Sequence, residues 1–359
     1  KQITQNAAEF DEADRFCTFI GFQWQGEPVK EGLRQLIYLK DGKQMLRKKD
    51  TKSSALKKIY KSFSPKELLA IPTFTMGKGA EYDFADYNPE FERVVEIYNA
   101  WGSSECTVKE GNSKPIETEG KKNNKESTEG SILKALKNNC RFGFVAGGLD
   151  DRGYYGGFYD GDQVQYTPGL TAIIAKEFSR SGIADALFRR SCYGTTGERI
   201  VLNFQISGTI MGQEISTGDK PGLIINRHIT GFAAGTTNLA KVEIIRNGEV
   251  IKTFTPQNSY SLEFEYDDMT DITKTLIQSD EKRVPFLFYY IRVTQEDGHM
   301  AWASPIWIDY IKLSPQERKA KRMQRTVTKT SHVKEEEILD FNLDDEEAEE
   351  DIDEYEDEV

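Results

Sequence analysis

VEIIRNGEVIKTF, at residues 242–254, decides the fold of the second half of the chain. Apolar and β-branched residues flank the Asn247-Gly248 dipeptide on both sides, and this dipeptide favours the tight turn of a two-residue β-hairpin. The stretch therefore predicts two antiparallel strands, at residues 242–245 and 250–254, joined by that turn.

A second hairpin is predicted further along the chain. Residues 287–295 and 300–310 read as strands, and the Asp297-Gly298 dipeptide between them reads as their turn. The rest of residues 199–310 has short strand and turn patterns and no helical periodicity. Such a series is typical of a β-sandwich. We therefore predict a β-sandwich-like domain over residues 199–311.

The first half of the chain has a different pattern. A helix over residues 131–139 precedes a buried strand over residues 141–146. A long Gly- and Tyr-rich loop then leads to a strand at residues 170–175 and a helix at residues 179–190. Strands that alternate with helices favour an α/β layer, in which loops at the strand ends hold the functional residues. The sequence thus predicts an α/β domain over residues 1–198.

The net charge of −12 is concentrated at the C-terminal end. Residues 334–359 contain sixteen acidic residues and one lysine, a local charge of −15, which leaves about +3 on the remainder. Because like charges repel, we expect an acidic, disordered tail over residues 334–359, preceded by a basic linker or helix over residues 312–333. The nearly neutral remainder lacks a persistent basic face, so we expect no nucleic-acid partner.

Several classes of protein and site are disfavoured by the composition. No apolar run is long enough to span a bilayer, so we expect no membrane span. The four cysteines lie far apart without a CxxC pair, which argues against a zinc knuckle or a disulfide framework. The chain starts at Lys1 without a signal peptide, so we expect it to begin inside a longer precursor. The compartment stays open, and a signal peptide before Lys1 would make the protein extracytoplasmic.

Four collinear segments resemble the DUF3604 family, which is related to the PHP phosphoesterases. The segments are FIGFQWQG (19–26), VVEIYNAWGSSE (94–105), RFGFVAGGLDDRG (141–153) with CYGTTGERI (192–200), and VEIIRNGEV (242–250) with YYIRVTQEDGHMAWASPIWI (289–308). The resemblance implies that residues 1–198 form part of a PHP-like distorted β/α barrel. In PHP proteins this barrel binds two or three divalent metals through His, Asp and Glu at the strand ends.

The metal ligands that the resemblance implies are largely replaced in this chain. Where the family usually has a histidine pair, the chain has Thr73, Phe74 and Thr75. Where the family has an Asp-x-His, Leu149 and Asp151 occupy the two positions. The three histidines of the chain lie in the predicted β domain or the tail: His228, which we expect at a strand edge, His299, which we expect at a turn, and His332. Metal-assisted hydrolysis needs imidazole and carboxylate ligands, so the resemblance implies a degenerate site with no catalytic residue.

Six residues are candidates for lining this degenerate pocket. Two are carboxylates within the matching segments, and four come from the Gly-rich loop: Glu96, Glu105, Asp150, Asp151, Tyr154 and Tyr155. We expect no cofactor. The alternative is a divalent metal, Mg²⁺ or Ca²⁺, held by carboxylates alone, and its candidate ligands are Glu96, Asp150 and Asp151.

Three functions remain open from the sequence. The first is a catalytically degenerate PHP/DUF3604-like protein that acts in binding. The second is a metal-dependent hydrolase of the phosphoesterase type, whose ligands lie mainly in a missing amino-terminal portion. The third is a structural subunit of a larger assembly, which contacts protein partners through the β domain and the acidic tail. The replaced ligands after residues 72 and 149 favour the first over the second, and the sequence barely separates the first from the third.

Overall fold

A computed structural model of the protein describes residues 2–40, 43, 46, 54–116, 125–148, 165–278, 283–312 and 317. β-Strands dominate this part of the chain. The strands are β1 (Ile20–Gln25), β2 (Leu33–Tyr38), β3 (Leu68–Thr73), β4 (Val94–Asn99), β5 (Gly102–Ser103), β6 (Gly143–Ala146), β7 (Leu170–Ile173), β8 (Cys192–Thr195), β9 (Val201–Ile206), β10 (Thr209–Ile210), β11 (Glu214–Ser216), β12 (Arg227–Ala234), β13 (Leu239–Arg246), β14 (Glu249–Phe254), β15 (Ser261–Asp268), β16 (Phe286–Gln295), β17 (Met300–Ala303) and β18 (Ile306–Asp309).

The helices are few and short. The α-helices are α1 (Gln2–Glu9), α2 (Leu56–Ser62), α3 (Ile132–Lys137) and α4 (Arg180–Phe188), and the 3₁₀ turns are Val108–Glu110, Thr128–Gly130, Pro221–Ile224 and Ile272–Lys274. Serine caps fix the starts of two of them, since Ser131 accepts a hydrogen bond from the Lys134 N–H and Ser179 accepts one from the Gly182 N–H. None of the described helices is long enough and apolar enough to cross a membrane.

The predicted β/α barrel is wrong. A β/α barrel consists of parallel strands that each precede a covering helix, whereas β1, β2 and β3 form an antiparallel sheet, and β4 pairs in parallel with β6 alone. The predicted order of helix and strand is present in α3, β6, β7 and α4. However, β7 pairs antiparallel with β8 rather than adding a parallel strand. No sheet among the described residues closes on itself, and the fold is β-rich.

Both predicted hairpins are confirmed. β13 and β14 pair antiparallel, and the Asn247-Gly248 turn between them has the two positive φ angles, 53° and 88°, of a two-residue hairpin turn. At Gly248 the turn touches α3, because a Cβ there would lie 2.4 Å from Leu133. β16 and β17 pair antiparallel across the second predicted turn, but the strand predicted at residues 300–310 is divided into β17 and β18, which both pair with β16.

Residues 199–310 contain two sheets that pack face to face, consistent with the predicted β-sandwich. The smaller sheet has the strand order β10-β9-β12-β15, and the larger one contains β13, β16, β17 and β18. Along β9, Leu202, Phe204 and Ile206 are buried while the residues between them are exposed, the alternation expected of a strand with one solvated face. These buried residues pack with the inner face of the larger sheet.

Strand β16 is buried on both faces. One face carries Leu287, Tyr289, Ile291 and Val293, which belong to the core between the two sheets. The other face carries Phe286, Phe288 and Tyr290, which pack in a second core with α3, β4 and β6. β16 therefore joins the sandwich to the first half of the chain, because successive side chains of a strand point to opposite faces.

The described residues up to Tyr310 pack as one compact unit. The predicted boundary near residue 198 stays a prediction, although β7 and β8, which precede it, lie in the same sheet as β16. The predicted acidic tail at residues 334–359 lies outside the described residues. Of the predicted basic linker at residues 312–333, only Lys312 and Glu317 are described.

Candidate functional site

A cavity of about 740 Å³ lies between the first sheet, the paired strands β4 and β6, strand β7 and helix α4. Most of its wall is apolar and comes from Phe19, Phe22, Leu36, Ile37, Leu39, Ile71, Val145, Ala146, Ile173, Ile183 and Leu187. The polar side chains in the wall are Gln35, Thr73, Glu96 and Thr171. Glu96 is the one ionisable side chain in the described wall, so the cavity combines a large apolar surface with a single acid.

Glu96 faces this cavity because of its position in β4. All six residues of the strand are buried, and alternation along the strand puts Glu96 on the same face as Val94. Asn99 Nδ2 donates a hydrogen bond to Glu96 Oε2 at 3.0 Å. Burial raises the pKa of Glu96 to about 7, against the lowering effect of hydrogen bonds from Asn99, the Thr73 hydroxyl and the Phe74 backbone N–H. This carboxyl group can therefore take up or release a proton near neutral pH.

Two backbone features fit closely around Glu96. A Cβ at Gly147, directly after β6, would lie 2.6 Å from Glu96 Oε1, so a larger residue there requires the carboxyl group to shift. Phe74, whose N–H reaches Glu96, has a φ of +54°, a left-handed conformation that costs about 1–2 kcal/mol for a residue with a Cβ. Unfavourable backbone of this kind persists where the surrounding structure requires it.

Glu105, the second predicted glutamate, belongs to a different polar cluster. Its Oε1 accepts hydrogen bonds from the Tyr290 hydroxyl at 2.7 Å and from Arg292 Nη1 at 2.9 Å. Its Oε2 accepts one from Trp302 Nε1 at 2.7 Å. Three donors on β16 and β17 thus hold both oxygens, and Arg292 also contacts Glu243 at 2.9 Å. This arrangement makes Glu105 a buried link between the segment after β5 and the large sheet.

The four candidates from the Gly-rich loop, Asp150, Asp151, Tyr154 and Tyr155, lie outside the described residues. Gly147 and Gly148, which come directly before this loop in the sequence, line the cavity. The structure thus brings one of the two described candidates, Glu96, to the cavity wall. That the four loop residues contribute to a site stays a prediction.

Sequence reasoning missed the polar cluster beside the first sheet. Arg34 and Glu92 are fully buried and form an ion pair at 3.3 Å, and Tyr60 and Tyr82 donate their hydroxyls to Glu92 at 2.7 and 3.1 Å. Arg34 also stacks over the Tyr82 ring at 3.8 Å. The available signal was Arg34 itself, a charged residue in a mostly apolar strand that also holds Gln35, because a buried charge requires a partner. The partners lie 26 to 58 residues away and share no motif.

The histidines lie outside this cavity where they are described. His299 follows the Asp297-Gly298 turn, as predicted, and its Nδ1 lies 2.9 Å from Thr196 Oγ1. His228 lies on β12, and His332 lies outside the described residues. The four cysteines are free thiols.

The described donors do not fit the metal centre that the family resemblance implies. A site for two or three metals needs several carboxylate and imidazole ligands. The described cavity wall offers one carboxylate, Glu96, with the hydroxyls of Thr73 and Thr171. We therefore derive no metal-dependent step from these residues.

The fold and the cavity together define a β-rich protein with one buried acid in an apolar pocket. The model of a family described as "Protein of unknown function (DUF3604)" matches residues 155–229, which confirms the resemblance to DUF3604. An uncharacterized protein of Chlamydia pneumoniae is 52% identical over 309 residues, which are 86% of this chain and 49% of that protein. An uncharacterized protein of Chlamydia trachomatis serovar D is 50% identical over 309 residues, which are again 86% of this chain and 49% of that protein. The chain thus spans about half the length of the curated relatives it matches.

Among solved structures, the fibronectin(III)-like modules of CbhA from Clostridium thermocellum are similar over 31% of this chain and 99% of that chain. The sequence identity is 14% and the TM-score is 0.18. A likeness at this level carries no argument about the fold or the function.

Proposed function

We propose that this chain is a catalytically degenerate relative of metal-dependent hydrolases that binds a small, largely apolar ligand in the Glu96 cavity. The observation that carries the proposal is the single ionisable side chain in an apolar wall. Binding pockets typically combine a predominantly apolar lining with a few polar groups that fix the orientation of the ligand. Here Glu96 would be the orienting group.

The chemistry of Glu96 favours a ligand with an amine group. An ammonium group beside Glu96 favours the ionised carboxylate, because an opposite charge nearby lowers the pKa of an acid. A pKa of about 7 in the free protein means that part of the population must release a proton when such a ligand binds. The affinity for an amine should therefore rise as the pH increases through 7, while the amine itself stays protonated.

Isothermal titration with two matched probes, hexylamine and 1-hexanol, tests this proposal. The unmodified protein should bind the amine more tightly than the alcohol, and Glu96→Gln should remove the preference. Leu187→Trp, which fills the cavity from α4, should weaken the binding of both probes. A matched control is Val250→Trp, at a position on β14 that is 46% exposed and outside the cavity wall. If Leu187→Trp binds each probe as tightly as the unmodified protein does, the proposal is contradicted.

The alternative function, a metal-dependent hydrolase, makes a different prediction. It would draw on Glu96 together with ligands from outside the described residues, such as Asp150 and Asp151. Elemental mass spectrometry of the full chain in chelator-free buffer distinguishes the two functions. About two transition-metal ions per chain, lost in Glu96→Gln, would overturn the binding proposal in favour of metal-assisted hydrolysis.

We also propose that protein neighbours contact residues 199–311 and the acidic tail at residues 334–359. The charge of −15 on the tail supports a basic partner surface, since opposite potentials steer association. The association should weaken as salt increases, because salt screens such attraction. Pull-downs at low and high salt, with and without the tail, test this expectation. Capture that is unaffected by tail removal would contradict a role for the tail.

A further inference from the structure

Three side chains on the outer face of the smaller sheet have the separation of metal ligands. His228 on β12 lies directly opposite Asp267 on β15, and Glu265 lies two residues before Asp267 on the same face. His228 Nδ1 is 2.8 Å from Asp267 Oδ1 and 3.8 Å from Glu265 Oε1. One ligand atom from each residue lies within 4.8 Å of the other two. Two hydrogen-bonded strands thus hold one imidazole and two carboxylates together.

A fourth residue, Asn226, provides an independent observation. Its Nδ2 donates a hydrogen bond to Asp267 Oδ1 at 2.7 Å. Its Oδ1 is buried and has no hydrogen-bond partner among the described residues. Rotation of the amide by 180° would break this hydrogen bond and turn Oδ1 towards Asp267, so the rotated form requires a bound cation as the partner of Oδ1.

We propose that Asn226, His228, Glu265 and Asp267 form a binding site for one divalent transition-metal ion, for which Zn²⁺ is the probe. Imidazole is a ligand suited to zinc and its neighbours in the transition series, whereas carboxylates and amide oxygens alone suit Mg²⁺ and Ca²⁺. Ligands at zinc bond lengths in a tetrahedron lie about 3.3 Å apart. The two separations from His228 Nδ1, 2.8 and 3.8 Å, bracket that value.

The site is open to solvent, with the side chains of His228 and Asp267 each 42% exposed, so an ion can enter without movement of the backbone. This site is separate from the Glu96 cavity and does not depend on the proposed binding function.

Titration of the full chain with Zn²⁺, in excess Mg²⁺, tests the site. The Mg²⁺ occupies carboxylate-only sites, including those that the acidic tail could offer. One Zn²⁺ per chain should bind to the unmodified protein, and His228→Ala and Asp267→Asn should each weaken binding at least about tenfold, the loss seen even for outer-sphere partners of metal sites. Asn226→Asp, which adds a carboxylate, should tighten binding.

Two controls separate this site from other acidic groups. Glu263→Gln alters the same strand and the same exposed face outside the group, and it should bind Zn²⁺ as the unmodified protein does. Glu96→Gln should also leave Zn²⁺ binding unchanged. Circular dichroism and thermal unfolding check that each variant is folded. The proposal is overturned if His228→Ala and Asp267→Asn bind Zn²⁺ like the unmodified protein, or if no Zn²⁺ binds in the presence of Mg²⁺.

Discussion

Glu96 and Glu105 are nine residues apart in the sequence, and both are almost fully buried, yet they occupy opposite kinds of environment. Glu105 accepts three hydrogen bonds, one of them from the Arg292 guanidinium, and both of its oxygens are occupied. Glu96 faces an apolar cavity, and the donors around it, Asn99, Thr73 and the Phe74 N–H, are all neutral. Burial alone therefore does not mark a carboxylate as functional. The presence or absence of a cationic partner separates the structural acid from the candidate binding group.

The largest effect on the free energy of unfolding is expected at Glu105, whose two carboxylate oxygens both accept hydrogen bonds. Glu105→Ala leaves Glu243 as the remaining ion-pair partner of Arg292 among the described residues, and it removes an acceptor from Tyr290 and Trp302. We expect a loss of about 3–5 kcal/mol in the free energy of unfolding, the range for breaking a buried ion pair on one side. Urea denaturation measures this loss. A loss below about 1 kcal/mol would mean that Glu105 is not the structural acid of the pair, since that is the range of a surface ion pair.

The second effect is a pH dependence that Glu96 should contribute. Its pKa rises from an ordinary value of 4.5 to about 7 in the folded protein. Between these values the folded state holds a proton that the unfolded state has lost, so this contribution to stability is complete below pH 4.5 and is lost as the pH rises through 7. The slope is about 1.4 kcal/mol per pH unit.

Urea denaturation of the unmodified protein and Glu96→Gln, at several pH values from 5 to 8, isolates this contribution. All other ionisable groups are shared, so the difference in unfolding free energy between the two proteins reports on Glu96. The variant should gain relative stability up to about pH 7 and then level off. A difference that stays constant over this range would show that Glu96 is already ionised at pH 5 in the folded state.

A smaller effect is expected at Gly147, which borders Glu96. Gly147→Ala puts a Cβ 2.6 Å from Glu96 Oε1, so the carboxyl group must move, and overpacking of this kind costs about 1–3 kcal/mol. Gly222→Ala is the matched control, because a Cβ there meets no atom within 4 Å. Thermal unfolding compares the two variants. Equal stability would indicate that the carboxyl group of Glu96 adjusts freely within the cavity.

The smallest effect is expected for an exposed carboxylate. Glu129 forms an ion pair with Lys134, and the side chains are 55% and 47% exposed. Glu129→Gln should change the free energy of unfolding by less than about 1 kcal/mol, because solvent screens exposed pairs. Urea denaturation of this variant sets the baseline for the two buried glutamates. If Glu129→Gln lost as much unfolding free energy as Glu105→Ala, burial would not explain the difference in stability between these carboxylates.

The sequence predicted the local features of the fold but not the way in which they assemble. The Asn247-Gly248 hairpin was predictable because its signal lies within thirteen residues. The family resemblance placed a barrel in the first half, and the antiparallel pairing of β7 with β8, across a helix and two loops, contradicts it. Such pairing depends on tertiary contacts that strand propensity does not encode.

The two glutamates illustrate the same limit at the level of the site. Both were predicted as pocket residues because both lie in one family-like segment. The donors that make Glu105 structural are 185, 187 and 197 residues further along the chain. The sequence around Asn226 and His228 likewise gave no signal of a metal site, since their partners Glu265 and Asp267 come from another strand. Sequence patterns indicate which residues could carry chemistry, and long-range contacts decide their roles.

Strand β16 has a consequence for how the chain could be divided. Its alternate side chains complete two different cores, so neither half of the protein has a complete hydrophobic core without the other. A fragment that begins at residue 199 would expose Phe286, Phe288 and Tyr290 as a row of aromatic rings along a sheet surface, the kind of apolar patch that promotes aggregation. The two halves are therefore expected to unfold together, as a single cooperative unit rather than as two independent modules.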